Sequence, residues 1–154
     1  MANKKLKTPE PIPAWIETFG SLVYDLCLEI LNDPLRAEIA FVSIAKEIKK
    51  NSTQVQFKEF QRTWILKNTC DHLLRDKRPS SLRFHKGPQG DVLSKLSIEE
   101  RLLVLLRDKY GLPYPEIAGA LGIPDGTLKL RRAQALRSLK EWSEEWRQGS
   151  NELL

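Results

Sequence analysis

The chain has 154 residues, enough for one ordinary domain or two small ones. Its 41% hydrophobic and 29% charged residues exclude a disordered polar tail. No apolar run approaches the ~18 residues that span a bilayer, and no apolar stretch follows the basic residues of MANKKLKTPEPIP, so a cytoplasmic protein without membrane contact is expected. A net charge of +5 and a pI near 9.3 permit a polyanionic partner without requiring one.

Apolar residues recur at helical steps from the start: Trp15, Phe19, Leu22, Val23, Leu26, Cys27, Ile30 and Leu31 define one face of a helix from Pro13 to Leu31. Asn32-Asp33-Pro34 then supplies a break, a cap and a proline at the first helical position. A second helix therefore starts there and carries Ala37, Phe41, Ile44 and Ile48 as far as Lys49-Lys50-Asn51-Ser52. A third holds Phe57, Phe60, Trp64, Ile65, Cys70, Leu73 and Leu74 and stops at Arg78-Pro79, because proline cannot continue a helix.

The stretch PSSLRFHKGPQGDVLSK loses periodicity and gathers proline, glycine and serine, the composition of a linker. His85 reads as part of that solvated segment. Beyond it, Ser97-Ile98-Glu99-Glu100 fits a capping box that opens a helix through Leu102, Leu103, Leu105 and Leu106 to Tyr110-Gly111. A short helix from Pro115 to Leu121 leads through Gly122-Ile123-Pro124 to a final helix beginning around Asp125. The fold expected is all-α, two small helical domains joined by a flexible linker. In residue numbers these are a disordered basic N-terminus (1–12), a first domain (13–78), a linker (79–94), a helix-turn-helix domain (95–148) and a tail (149–154).

Cys27 and Cys70 each lie inside an apolar-periodic segment and read as buried thiols rather than a disulfide or metal site. Cys70 and His72 are two apart and point to different sides of a helix. No nucleophile with a positioned base, phosphate-cradling glycine loop or metal-ligand spacing is present, so neither an enzyme nor a cofactor is expected.

The segment YPEIAGALGIPDGTLKLRRAQALRSL carries the functional signal: a short helix, a tight glycine turn and a second helix make a helix-turn-helix. Ala118 allows close approach, Gly122 suits a left-handed helix end, and Ile117, Leu121, Ile123 and Leu128 form the apolar seam. Between Lys129 and Lys140 stand Lys129, Arg131, Arg132, Arg137 and Lys140 with no acid among them, while Glu141, Glu144, Glu145 and Glu152 follow beyond. On a helical wheel Leu128, Ala135 and Leu139 fall together, with Thr127, Arg131, Gln134 and Ser138 towards the opposite side as base-reading candidates. Lys129, Arg132 and Arg137 suit phosphates.

With these residues in hand, the chain resembles the extracytoplasmic-function sigma factors of bacterial RNA polymerase, most closely over LSIEERLLVLLRDKYGLPYPEIAGALGIPDGTLKLRRAQAL. The resemblance implies that this domain reads the minus-thirty-five promoter element. LNDPLRAEIAFVSIAKEIKK is similar to the polymerase-clamp helix, which implies core RNA polymerase contacts at Glu38, Ile39, Val42 and Lys46. The acid and glutamine usual after Ala37-Glu38 are replaced here by Ile39 and Val42. FQRTWILKNTCDHLLRDKR resembles the helix that captures the minus-ten strand, implying roles for Trp64, Lys67, Asp71 and Arg75, with Asp71 where asparagine is usual. Arg132 stands where the family has a core leucine.

Two functions of different classes follow. One is a sigma subunit that binds promoter DNA and core polymerase. The other is a sigma-like interaction protein that titrates an anti-sigma factor, favoured by Ile39 and Val42; a stand-alone helix-turn-helix regulator would use the same C-terminal segment. No small-molecule substrate is implied.

Overall fold

The computed structural model describes residues 12–52, 61–76, 93 and 95–152, with side chains as far as Glu144. Six helices make up the described chain: α1 (Ala14–Leu31), α2 (Pro34–Asn51), α3 (Gln61–Arg75), α4 (Ile98–Val104, continued by a π-helical turn over Leu105–Lys109), α5 (Tyr114–Leu121) and α6 (Asp125–Glu152). No strand occurs among the described residues.

Local chemistry accounts for the helix ends. Asn32 adopts the left-handed conformation at φ 53° and its N–H donates to the Leu28 carbonyl, closing α1. The Asp33 carboxylate then accepts from the Leu35 and Arg36 N–H groups at 3.0 and 3.5 Å, with Pro34 in the first helical position. At α4 the expected capping box is complete: Glu100 N–H donates to Ser97 Oγ at 3.1 Å and Ser97 N–H to Glu100 Oε1 at 3.2 Å.

Two ends differ from the sequence expectation. Helix α3 stops at Arg75 rather than Arg78, because Asp76 N–H closes on the Leu73 carbonyl at 3.3 Å and its carboxylate reaches Arg36 at 3.2 Å. Helix α6 runs to Glu152, past the boundary drawn at 148; a single Gly149 without a proline costs only about 1 kcal/mol, too little to end a helix already under way. Phe57, Phe60, His85 and the linker other than Leu93 lie outside the described residues, as do residues 1–11.

The larger departure is in how the two helical groups meet. Linker composition favours two separately packed groups, yet one contiguous core runs from Trp15, Leu26 and Ile30 through Ile44, Ile65 and Leu73 to Leu102, Leu106, Ile117 and Leu128. Helices α3 and α5 form the seam. Composition limits what the linker itself buries and leaves open whether the outer faces of the helices fit each other. Here they do: a Cβ added to Gly119 would stand 3.1 Å from Thr63 Cγ2, so glycine is what lets α5 approach α3.

Polar contacts reinforce the seam. Arg62 donates to Glu116 through Nε and Nη2 at 2.5 and 2.6 Å. Lys109 Nζ lies 3.0 Å from Asp25 and 2.9 Å from Glu29, and Tyr110 donates its hydroxyl to Asp25. Burial would raise the Asp25 carboxyl, but hydrogen bonds from Tyr110 and Lys109 and the Lys109 charge outweigh it and hold the group below its ordinary value. The buried Arg101 donates to the Ile30 carbonyl at 3.2 Å. A smaller cluster of Leu96, Val104 and Ala135, backed by Leu139 and Trp142, fastens the stem of α6 to α4.

Candidate nucleic-acid interface

Helices α5 and α6 meet through the turn Gly122-Ile123-Pro124. Gly122 sits at φ 69°, and its N–H donates to the Ala118 carbonyl at 2.8 Å. That backbone suits glycine because a Cβ is strained there. Ile117, Leu121, Ile123 and Leu128 are buried, forming the expected seam between the two helices. The second helix is therefore held rigidly, with its outer side free.

The burial pattern fixes which side that is. Leu128 and Ala135 are fully buried, and at about 100° per residue the point opposite Leu128 falls between Gly126, Leu130, Ala133 and Arg137. All four are exposed. Thr127, Arg131, Gln134 and Ser138 occupy a flank about a quarter turn away, not the opposite side, and Thr127 and Ser138 are half-buried there. Gln134, Lys129 and Arg137 are exposed, and Arg131, also exposed, pairs with Glu99 of α4.

Arg132 lies on the other flank, half-buried, and is gripped by Asp108 through Nε at 2.9 Å and Nη2 at 2.5 Å. The hydrogen bonds it donates to the Asp108 carboxylate hold its guanidinium above the usual arginine range. This ion pair ties α6 to the end of α4. Sequence reasoning missed Tyr114, whose ring carries Arg107 at 4.4 Å on its face and Lys129 at 5.6 Å. No single helical period relates these three residues, so no pattern could have linked them.

In the first group, α2 buries Ala37, Ala40, Ile44 and Ile48 and turns Leu35, Ile39, Val42 and Lys46 to solvent. The three apolar side chains are 65, 54 and 51% exposed, and Glu38 is exposed beside them. The four candidates on α2 therefore share one open surface. On α3, Trp64 packs half-buried against the core while Lys67 and Asp71 pair at 3.5 Å, and Arg75 reaches Glu47 at 2.8 Å. The spacing of these four puts them along one side of α3. His72 Nδ1 lies 3.3 Å from Glu47. Cys27 and Cys70 are free thiols in the core, each pushed up to about 12 by burial. Among the described residues, no helix is long and apolar enough to cross a membrane.

Among the described residues, the helical fold carries a helix-turn-helix with a cationic second helix, the arrangement of helix-turn-helix DNA-binding domains. Residues 90–139 match the family model described as Sigma-70, region 4. No curated protein matches the chain significantly. Among solved structures, the chain is similar to the sigma factor RpoE of Bartonella quintana, determined in complex with the anti-sigma factor NepR. The TM-score is 0.68 at 12% identity, covering 94% of this chain and 98% of that one. The chain thus has the fold of an extracytoplasmic-function sigma factor and carries a Sigma-70 region 4 domain.

Proposed function

We propose that this protein is a sigma factor of the extracytoplasmic-function type, which binds core RNA polymerase in the cytoplasm and directs initiation at particular promoters. The observation that carries this reading is the region 4 match, falling on a helix-turn-helix whose second helix has five cations and no acid between Lys129 and Lys140. The work is binding rather than catalysis: α6 meets the minus-thirty-five element, the α3 side of Trp64, Lys67, Asp71 and Arg75 meets the minus-ten strand, and α2 meets polymerase. Thr127, Lys129, Gln134, Arg137 and Ser138 are available for DNA, whereas Arg131 first has to leave Glu99 and Arg132 to leave Asp108. In vitro transcription with core polymerase and a genomic promoter library tests the reading. Start sites that depend on this protein are expected, and their absence from the whole library refutes it.

A second reading is favoured by one observation: Leu35, Ile39 and Val42 leave an apolar stripe on α2, where the resemblance leads to an acid and a glutamine. Such a stripe suits a protein partner, and a sigma-like chain that sequesters an anti-sigma factor would use it. Binding to purified core polymerase separates the two, since the sequestering protein does not require it.

A further inference from the structure

Leu130 is 60% exposed although it lies in the middle of a stretch held in place on its opposite side by the fully buried Leu128 and Ala135. The fold gives it nothing to cover. Its neighbours on the outermost strip of α6 are Gly126, where an added Cβ would meet nothing within 4 Å, and Ala133, which is also exposed. Positions 126, 130 and 133 follow helical steps of four and three, so they form one narrow strip without a polar side chain. Lys129 borders the strip on one flank and Gln134 and Arg131 on the other, Arg137 closes its far end, and no acid stands between Gly126 and Lys140. A protein-binding surface would gain from a wide apolar patch; this strip is one leucine wide among polar and cationic side chains, and its small neighbours let the backbone come close to what it faces.

In a major groove the apolar feature on offer is the thymine C5-methyl, which side chains contact by apolar packing. We propose that Leu130, flanked by the low ground of Gly126 and Ala133, is a specificity-determining residue that packs on a thymine methyl in the promoter element. The inference deepens the proposed sigma function and rests on its assignment of α6 to the groove. Lys129 on one flank and Arg137 at the far end of the strip hold phosphates, and Leu130 makes the choice of base between them along the helix.

Deoxyuridine differs from thymidine by that methyl alone, which permits a test without disturbing the protein. A duplex selected from a random pool by the full-length chain, alone and with core polymerase, is remade with each thymine in turn replaced by deoxyuridine. At one or two adjacent positions affinity should fall about fourfold, the effect of one apolar carbon group leaving contact. With Leu130→Ala that loss should vanish at those positions, while the salt dependence stays as in the parent. Circular dichroism of Leu130→Ala should be unchanged, since the side chain is exposed.

Uniform tolerance of deoxyuridine by the parent chain overturns the proposal, as does discrimination that survives in Leu130→Ala. If DNA binding is normal in Leu130→Ala but polymerase binding is lost, Leu130 is a protein contact and the proposal is overturned in that direction. Failure of the parent chain to select any duplex under either condition overturns the groove assignment itself, and this proposal with it.

Discussion

The Arg62–Glu116 pair makes a directional prediction because its partners are unequally buried. The Glu116 side chain is 11% exposed and that of Arg62 is 46% exposed. Arg62→Ala strips the bidentate partner from a carboxylate with little access to water, and leaving such a group unsatisfied costs about 1–3 kcal/mol. Glu116→Gln leaves a half-exposed guanidinium that water can solvate, so its cost stays near the value of a surface pair, about 0–1 kcal/mol. Urea unfolding followed by tryptophan fluorescence reads both, and small-angle scattering reports whether the two helical groups part before either unfolds. Arg62→Ala should lower the midpoint more and increase the radius of gyration under milder conditions. Equal costs, or a greater cost for Glu116→Gln, would refute the reasoning from burial.

Lys129→Ala should weaken binding to all duplexes about equally and make the salt slope shallower by about one unit, whereas Arg131→Ala should lose about 1–3 kcal/mol of discrimination at one base pair; competition binding at several salt concentrations distinguishes them. Charge reversal at Glu38 or Lys46 should weaken the complex with core polymerase without changing the circular dichroism, as read by co-elution. Cys27 and Cys70 should stay unmodified by a thiol reagent at pH 8 until denaturant is added. Their thiol pKa rises from an ordinary 9.0 to about 12 on folding, so the stability linked to them is complete below pH 9 and is lost as pH climbs towards 12, a slope that alkaline unfolding curves measure.

What the sequence made legible was local. The Asn32-Asp33-Pro34 break, the Ser97–Glu100 box and the Gly122 turn each depend on residues within one helical turn of each other, and their side-chain chemistry leaves few alternatives. The seam is different in kind: Arg62 and Glu116 are 54 positions apart, and Gly119 is informative only once Thr63 is known to face it. On α6 the inward side of Leu128 and Ala135 was legible, but Thr127, Arg131, Gln134 and Ser138 lie on a flank rather than opposite it. Residue type alone does not say that Leu130 faces solvent while Arg132 is half-buried against Asp108. The burial of Leu128 and Ala135 fixes the phase, and with it the surface offered to DNA.

Closure and promoter reading make opposite demands on the seam. Elements named for positions ten and thirty-five are about 25 base pairs apart, which at about 3.4 Å per pair is some 85 Å of duplex. Helices α3 and α5 are in contact, so under the proposed function the chain as it stands cannot serve both elements. The segment from 77 to 92 has 16 residues, with a reach of at most about 55 Å, and the helical groups at its two ends add their own widths. Opening is therefore within the chain's covalent means, and the proposed function requires polymerase and DNA to drive it by binding the open form. Each 1.4 kcal/mol removed from the closed form should then tighten apparent promoter–polymerase affinity by up to about tenfold, as for any protein whose competent state is the minor one. Arg62→Ala should consequently bind better at limiting polymerase while being less stable in urea, and Glu116→Gln should do so to a smaller extent. Filter binding of the assembled holoenzyme decides it: affinity that falls in step with stability would mean that the closed arrangement, not an opened one, is what polymerase receives.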